Sequence, residues 1–163
     1  SEAAVARGLS WLAKQQKANG SWEFDGMSKT NRVAATGMAL LPFLAAGQTQ
    51  KPTDDRAVTY RKNIDAGVKI LLAQQRPDGR FSPQMYENAL AALAIFEAAG
   101  MTGEPGLKTA AQKAVGYIVK GQGPDGSWGY TAGTNGDTSI VGWQVQALHA
   151  AQLGFTPPVP KGS

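Results

Sequence analysis

The sequence predicts an all-α protein, a curved two-layer stack of three helical hairpins with six helices in all. Apolar residues recur at helical spacing in six segments, which alternate between a charged composition and one rich in Ala and Leu. Between the two segments of each hairpin lies the same short phrase, which reads QKANGSWEF, then QRPDGRFSP, then QGPDGSWGY. Because a recurring phrase is the signature of a repeat architecture, we expect one hairpin for each copy.

The first helix of each hairpin is expected to face solvent along one side. The segments AVARGLSWLAKQQ, NIDAGVKILLAQQ and AAQKAVGYIVKGQ each place apolar residues on one face, such as Val5, Leu9 and Leu12 in the first. Lys, Arg and Gln occupy many of the remaining positions, as on the exposed side of an amphipathic helix. We call these three segments the outer helices.

The second helix of each hairpin is expected to be buried on more than one side. The segments TGMALLPFLAAG, ALAALAIFEAAG and WQVQALHAAQLG carry almost no charge. We call them the inner helices, and we expect the glycine that ends each segment, Gly47, Gly100 or Gly154, to form a left-handed cap. The hairpins then span about 3–47, 56–100 and 106–154 within one domain of residues 1–154, with residues 53–56 capping the second outer helix and 155–163 forming an extended tail.

The repeated phrase joins each outer helix to its inner helix, and we call its three copies corner 1 (residues 16–22), corner 2 (75–81) and corner 3 (122–128). In every copy the glutamine and the glycine are four residues apart, and an aromatic residue follows two positions later. These residues are Gln16, Gly20 and Trp22 in corner 1, Gln75, Gly79 and Phe81 in corner 2, and Gln122, Gly126 and Trp128 in corner 3.

Composition narrows the function classes. The net charge is +4 with a pI near 9.4, but Lys and Arg are scattered along the chain, so we expect no nucleic-acid partner. The absence of cysteine excludes disulfides, thiolate catalysis and Cys-containing zinc sites. No apolar run reaches membrane length, and no basic-then-apolar leader opens the chain. We expect a processed chain or a piece of a longer one, and the compartment stays open.

The corners resemble the QW motif of squalene and oxidosqualene cyclases, whose α/α toroid is shared by the β subunits of protein prenyltransferases. The resemblance covers about residues 4–154 and implies that glutamine and tryptophan tie the end of an outer helix to the corner between neighbouring hairpins. We therefore expect Trp22 and Trp128 to be mostly buried structural pins. A full toroid of this kind has about six hairpins, so the resemblance implies half a toroid here.

The family's catalytic residues are largely missing from this chain. Squalene-hopene cyclases protonate an alkene with an Asp-x-Asp-Asp cluster, and the nearest match here is Asp137 alone in TNGDTSIVGW. We favour a helix N-cap for Asp137 over an acid catalyst. Prenyltransferases bind zinc through Asp, Cys and His, but this chain has one histidine, His149, which we interpret as an ordinary helix residue. No metal or other cofactor is expected.

The starts of the inner helices supply the candidate ligand-lining residues. If the three terminal glycines are superposed, one end of the concave face gathers Arg32, Thr36, Tyr86, Glu87, Asn88 and Trp143. In the related enzymes this end opens on an aromatic-lined cavity that holds isoprenoid chains. The aromatics are equally compatible with core packing, whereas charges beside buried alanines need solvent, each other or a ligand.

Two function classes follow. The first is a non-catalytic repeat module that binds a protein segment or an isoprenoid-like apolar ligand on its concave face. The alternative is a fragment or subunit of an isoprenoid cyclase or prenyltransferase-like enzyme whose catalytic residues lie outside this chain. Because a half-ring leaves apolar inner-helix surface uncovered, we expect that a second copy, as a homodimer, or the remainder of a longer chain covers it.

Overall fold

The structure is a computed structural model that describes residues 1–26, 30–51 and 58–154. It contains six α-helices, and the described residues form no β-strand, so the predicted all-α class is confirmed. The helices are α1 (Glu2–Gln15), α2 (Arg32–Ala45), α3 (Arg61–Gln74), α4 (Met85–Thr102), α5 (Pro105–Lys120) and α6 (Thr138–Gly154). The cap predicted at residues 53–56 and the extended tail predicted at 155–163 lie outside the described residues.

The inner helices α2, α4 and α6 form a row with α4 in the middle. α4 packs against α2 on one side and against α6 on the other. Its Ala-rich sequence suits this position, because small side chains let two neighbouring helices approach closely, and Ala89 to Ala92 are all buried. The two end helices are buried less completely, since each has only one inner neighbour.

The outer helices α3 and α5 cover the row along single apolar stripes, as predicted, whereas Val5 of the stripe predicted for α1 is 56% exposed. α3 buries Ile64, Val68 and Leu71 against the inner layer, and its Lys and Arg side chains face outward. α1 differs from α3 and α5, because Leu9 is the one residue of α1 that is buried. No described helix combines the length and the apolar character that crossing a membrane requires.

The predicted glycine caps are right for α2 and wrong for α4. Gly47 has φ +75° and follows α2, where its N–H donates to Leu44 O at 2.8 Å, as in a left-handed helix end. Gly100 instead lies within α4, which Gly103 caps at φ +67°. A Cβ at Gly100 would stand 2.9 Å from the Cα of Gly154, so these two glycines allow α4 and α6 to touch. Gly154 is itself the last residue of α6 rather than a cap beyond it.

Candidate functional site

The three corners share one backbone turn. In corner 1 the N–H of Lys17 donates to Ser21 O at 2.8 Å, and the N–H of Gly20 donates to Lys17 O at 2.9 Å. The same pair of bonds recurs in corners 2 and 3 at similar distances. The glycine of each corner has a positive φ, between 78° and 97°, which L side chains rarely adopt. This requirement explains the invariant glycine position of the repeated phrase.

The tryptophans of corners 1 and 3 are buried, as predicted, with exposed fractions of 3% and 6%. The Nε1 of Trp22 donates to Leu12 O at 2.7 Å, and the Nε1 of Trp128 donates to Ile118 O at the same distance. Both carbonyls belong to the last turn of an outer helix, where backbone acceptors lack intrahelical partners. Phe81, which has no donor, is buried in the same place in corner 2. A large aromatic in each corner therefore closes the end of its outer helix.

The corner glutamines join neighbouring hairpins. The side-chain amide of each glutamine donates to the carbonyl of its own corner glycine at 2.8 to 3.1 Å. Gln16 donates a second bond to Asn63 O in α3 at 2.8 Å, and Gln75 donates a second bond to Ala110 O in α5 at 2.9 Å. One amide group thus holds its corner closed and grips the outer helix of the next hairpin.

Corner 3 lacks this second contact. Within the described part of the chain, Gln122 donates only to Gly126 O. A Cβ at Gly126 would meet nothing within 4 Å, whereas one at Gly20 would lie 3.0 Å from Ala66 and one at Gly79 only 2.1 Å from Lys113 O. Corners 1 and 2 are therefore covered by an outer helix, whereas among the described residues no outer helix covers Gln122 and Gly126 of corner 3.

The predicted ligand-lining residues lie in local groups at the starts of the inner helices. Thr36 and Asn88 are buried, and their side-chain oxygens accept the backbone N–H groups of Trp22, at 3.1 Å, and Phe81, at 2.7 Å. These two polar side chains fix the exits of corners 1 and 2. The sequence analysis did not predict this role for Thr36 or Asn88.

The other members of the predicted set make polar or aromatic contacts nearer the surface. Tyr86 and Trp143 are half-buried and meet edge to face, with ring centroids 6.3 Å apart. Glu87 accepts a hydrogen bond from Ser82 at 2.6 Å. Among the described residues, no hydrogen bond, ion pair or ring contact joins Arg32 or Thr36 to this group. A ligand-lining role for the set stays a prediction.

Asp137 stands at the N-terminus of α6. Its carboxylate accepts the backbone N–H of Ser139 at 2.9 Å and also the Ser139 hydroxyl. The hydroxyl bond, followed by the backbone bond, lowers the pKa of Asp137 below its ordinary value. A general acid needs a raised pKa to hold its proton at neutral pH, so this geometry suits the N-cap interpretation.

His149 is exposed on α6. In the portion of the chain that the structure describes, no three His, Cys, Asp or Glu side chains come together as metal ligands would.

A concave feature that was not predicted lies at the α1 end of the row. It is an open pocket of about 430 Å³ between α1, corner 1, the residues that follow this corner and α2. Its apolar walls are Trp11, Leu12, Trp22, Phe24, Ala35, Met38, Ala39 and Pro42. Trp11 is 57% exposed, so one wall of the pocket is an indole ring held in water. We call this feature the edge pocket.

An ion cluster forms the rim of the edge pocket. Glu23 pairs with Arg32 at 2.8 Å and with Lys17 at 3.4 Å. Desolvation raises the pKa of Glu23, but the hydrogen bond and charge of Lys17 and the charge of Arg32 outweigh it and lower the pKa. Arg32, predicted to line a ligand site, thus reaches the rim of this pocket through Glu23.

One sequence signal could have located the edge pocket. Trp11 lies off the stripe of Val5, Leu9 and Leu12, on a side of α1 that the helical pattern assigns to solvent. A large aromatic on a solvent side is an unusual choice that calls for a partner. Met38 and Pro42 gave no comparable signal, because both belong to an apolar inner helix.

Neither a protein-family model nor a curated protein matches this chain.

Proposed function

We propose that this chain is a non-catalytic helical-repeat module, half of an α/α toroid of the squalene cyclase and prenyltransferase type, that binds an apolar ligand or the apolar side chains of a protein segment. The observation that carries the proposal is the edge pocket with its exposed Trp11. The pocket replaces the starts of the inner helices as the preferred binding site.

Without an occupant, the edge pocket keeps apolar surface in contact with water, which costs free energy. The walls expose apolar surface from two helices and a corner, and an exposed indole leaves much of its large apolar area in water. Apolar surface removed from water contributes about 25 cal/mol per Å², so an occupant that covers the indole gains affinity. The charged rim of Lys17, Glu23 and Arg32 offers polar partners for the end of such an occupant.

The alternative, a part of an isoprenoid cyclase or prenyltransferase-like enzyme, rests on the resemblance of the corners to the QW motif. Asp137 would be its acid, but the carboxylate is half-buried and accepts two bonds from Ser139. We therefore expect no cyclisation of squalene and no stoichiometric zinc. Turnover that Asp137→Asn abolishes, or one zinc per chain by metal analysis, would contradict the non-catalytic proposal.

Titration calorimetry of the dilute chain with a C15 isoprenoid alcohol tests the binding site. Wild type is expected to bind one alcohol, and Trp11→Ala is expected to weaken binding about tenfold, which corresponds to about 1.4 kcal/mol. Tyr130→Ala is the matched control, because Tyr130 is 58% exposed and lies outside the pocket. Equal affinity of wild type and Trp11→Ala, or no binding by wild type, contradicts the proposal.

A further inference from the structure

Corners 1 and 2 recognise the next outer helix by the same positions. Counting back from the glutamine that follows each outer helix, the carbonyl that accepts the bond comes from the twelfth residue, Asn63 in α3 and Ala110 in α5. The corner glycine faces the ninth residue, Ala66 or Lys113. The eighth residue is small in both helices, Gly67 and Ala114, and buried. We call these three positions the receptor face of an outer helix.

Corner 3 presents the same donor group without a receptor face. Gln122 closes its corner as the other two glutamines do, and the turn and the buried tryptophan are repeated as well. Gly126 is exposed, whereas Gly20 and Gly79 are buried under α3 and α5. The local structure of corner 3 is therefore complete, and what differs is the neighbour.

α1 presents the complementary half. Its receptor face consists of Ala4, Arg7 and Gly8, at the same three distances from Gln16, and all three are exposed. The eighth position is again small, and a Cβ at Gly8 would meet nothing within 4 Å. Val5 is 56% exposed, whereas Ile64 and Ala111, at the same position of α3 and α5, are fully buried. The described residues thus include one receptor face without a corner and one corner without a receptor face.

The two halves cannot meet within one copy, because α2 and α6 lie on opposite sides of α4 and carry their hairpins to opposite ends of the row. We propose that corner 3 of one copy binds the receptor face of α1 in a second copy. This inference rests on the proposed function, since it names the occupant of the binding edge around α1 and α2.

The docked arrangement follows from the one inside the chain. Where corner 1 holds α3, the inner helices α2 and α4 lie side by side. Where corner 3 holds α1 of a second copy, α6 lies beside the α2 of that copy in the same way. The exposed Val145 of α6 then meets the edge pocket, which Met38 and Pro42 of α2 help to line. The α6 face of one copy thereby fills the edge pocket of the other copy.

The contact joins different surfaces of the two copies, so it either closes into a ring or continues as a chain. Two copies related by a two-fold axis satisfy both corners and both receptor faces at once. We therefore expect association to stop at a dimer of six hairpins.

Sedimentation velocity over a wide concentration range tests the contact with a matched pair of variants. Gly8→Lys places a long charged side chain on the receptor face and, on an exposed helix, favours the folded state. Gly116→Lys makes the same change in outer helix α5 at a glycine whose Cβ direction is equally open, away from the receptor positions. We expect wild type and Gly116→Lys to form dimers alike, and Gly8→Lys to need about tenfold more protein.

Gln122→Ala provides the second arm, because it removes the donor from corner 3 and is expected to weaken dimerisation as Gly8→Lys does. Wild type that remains monomeric throughout, or Gly8→Lys that associates like Gly116→Lys, overturns the inference. If the chain stays monomeric but binds the isoprenoid alcohol through Trp11, the dimer inference is overturned and the ligand-binding proposal stands. If the chain forms a dimer that Gly8→Lys weakens, but the dilute chain does not bind the alcohol, only the ligand-binding part of the proposed function is overturned.

Discussion

Corner 2 and corner 3 have nearly the same sequence and different surroundings. Both consist of Gln, two turn residues, Asp-Gly, one further residue and a buried aromatic, and both close the same hydrogen-bonded turn. Corner 2 is covered by α5, which Gln75 reaches at 2.9 Å, and corner 3 has no outer helix over it in the described chain. The difference shows that a repeat unit can complete its own fold while its donor to a neighbour stays available.

The largest expected effect tests what the two corners share. Trp128→Ala should lower the free energy of unfolding by about 3 kcal/mol or more, because it opens a cavity and removes the indole hydrogen bond to Ile118 O. Urea denaturation measures the change, with Trp11→Ala as a control that should cost under about 0.5 kcal/mol, since Trp11 is exposed. A loss below about 1 kcal/mol for Trp128→Ala would show that the corner is an ordinary surface loop.

Substitution of the corner glycines is expected to affect corner 2 more than corner 3. Gly79→Ala and Gly126→Ala both force an L residue to a positive φ, at a cost of about 1–2 kcal/mol each. Gly79→Ala also drives its Cβ against Lys113 O, 2.1 Å away, whereas Gly126→Ala meets open space. We expect the first to be more destabilising by at least about 1 kcal/mol in the same urea assay. Equal losses would mean that α5 does not lie on corner 2.

Substitution of the corner glutamines is expected to produce a smaller difference in stability loss between corners 2 and 3. Gln75→Ala removes two hydrogen bonds and Gln122→Ala removes one, and each is worth about 1 kcal/mol net. Thermal or urea unfolding of dilute protein should therefore show about twice the loss for Gln75→Ala. If Gln122→Ala is the more damaging change in dilute protein, corner 3 has a partner within the chain.

Asp125 is expected to produce the smallest effect. The Ser127 hydroxyl and then the Ser127 N–H hold the pKa of Asp125 below its usual value of 3.8. A carboxylate with a lowered folded pKa adds stability above its unfolded pKa and loses it as the pH falls through the folded value. Asp125→Asn should therefore flatten the decline of stability below about pH 4 and leave the slope near pH 7 unchanged. An unchanged acid decline would show that Asp125 makes no such bonds in solution.

The sequence predicted the repeat and the burial of Trp22 and Trp128, because both depend on local spacing and residue size. It misplaced the end of α4, because Gly100 serves contact with α6 and nothing local distinguishes a packing glycine from a cap. The edge pocket also escaped prediction, since it depends on which side of α2 has no neighbour. The tasks of Thr36 and Asn88 were equally hidden, as each bonds a backbone group whose position depends on the corner.

The most direct test of the difference between the corners is hydrogen exchange of the glutamine side-chain amides with water. NMR measures this exchange in dilute and in concentrated protein. In dilute protein the amides of Gln16 and Gln75 should exchange slowly, because both of their hydrogens are bonded, and Gln122 should exchange faster. At high concentration the exchange of Gln122 should slow as corner 3 binds a second copy, and Gly8→Lys should prevent that slowing. Equal exchange of Gln75 and Gln122 in dilute protein, or an exchange rate of Gln122 that ignores concentration, would contradict an open corner that a second copy fills.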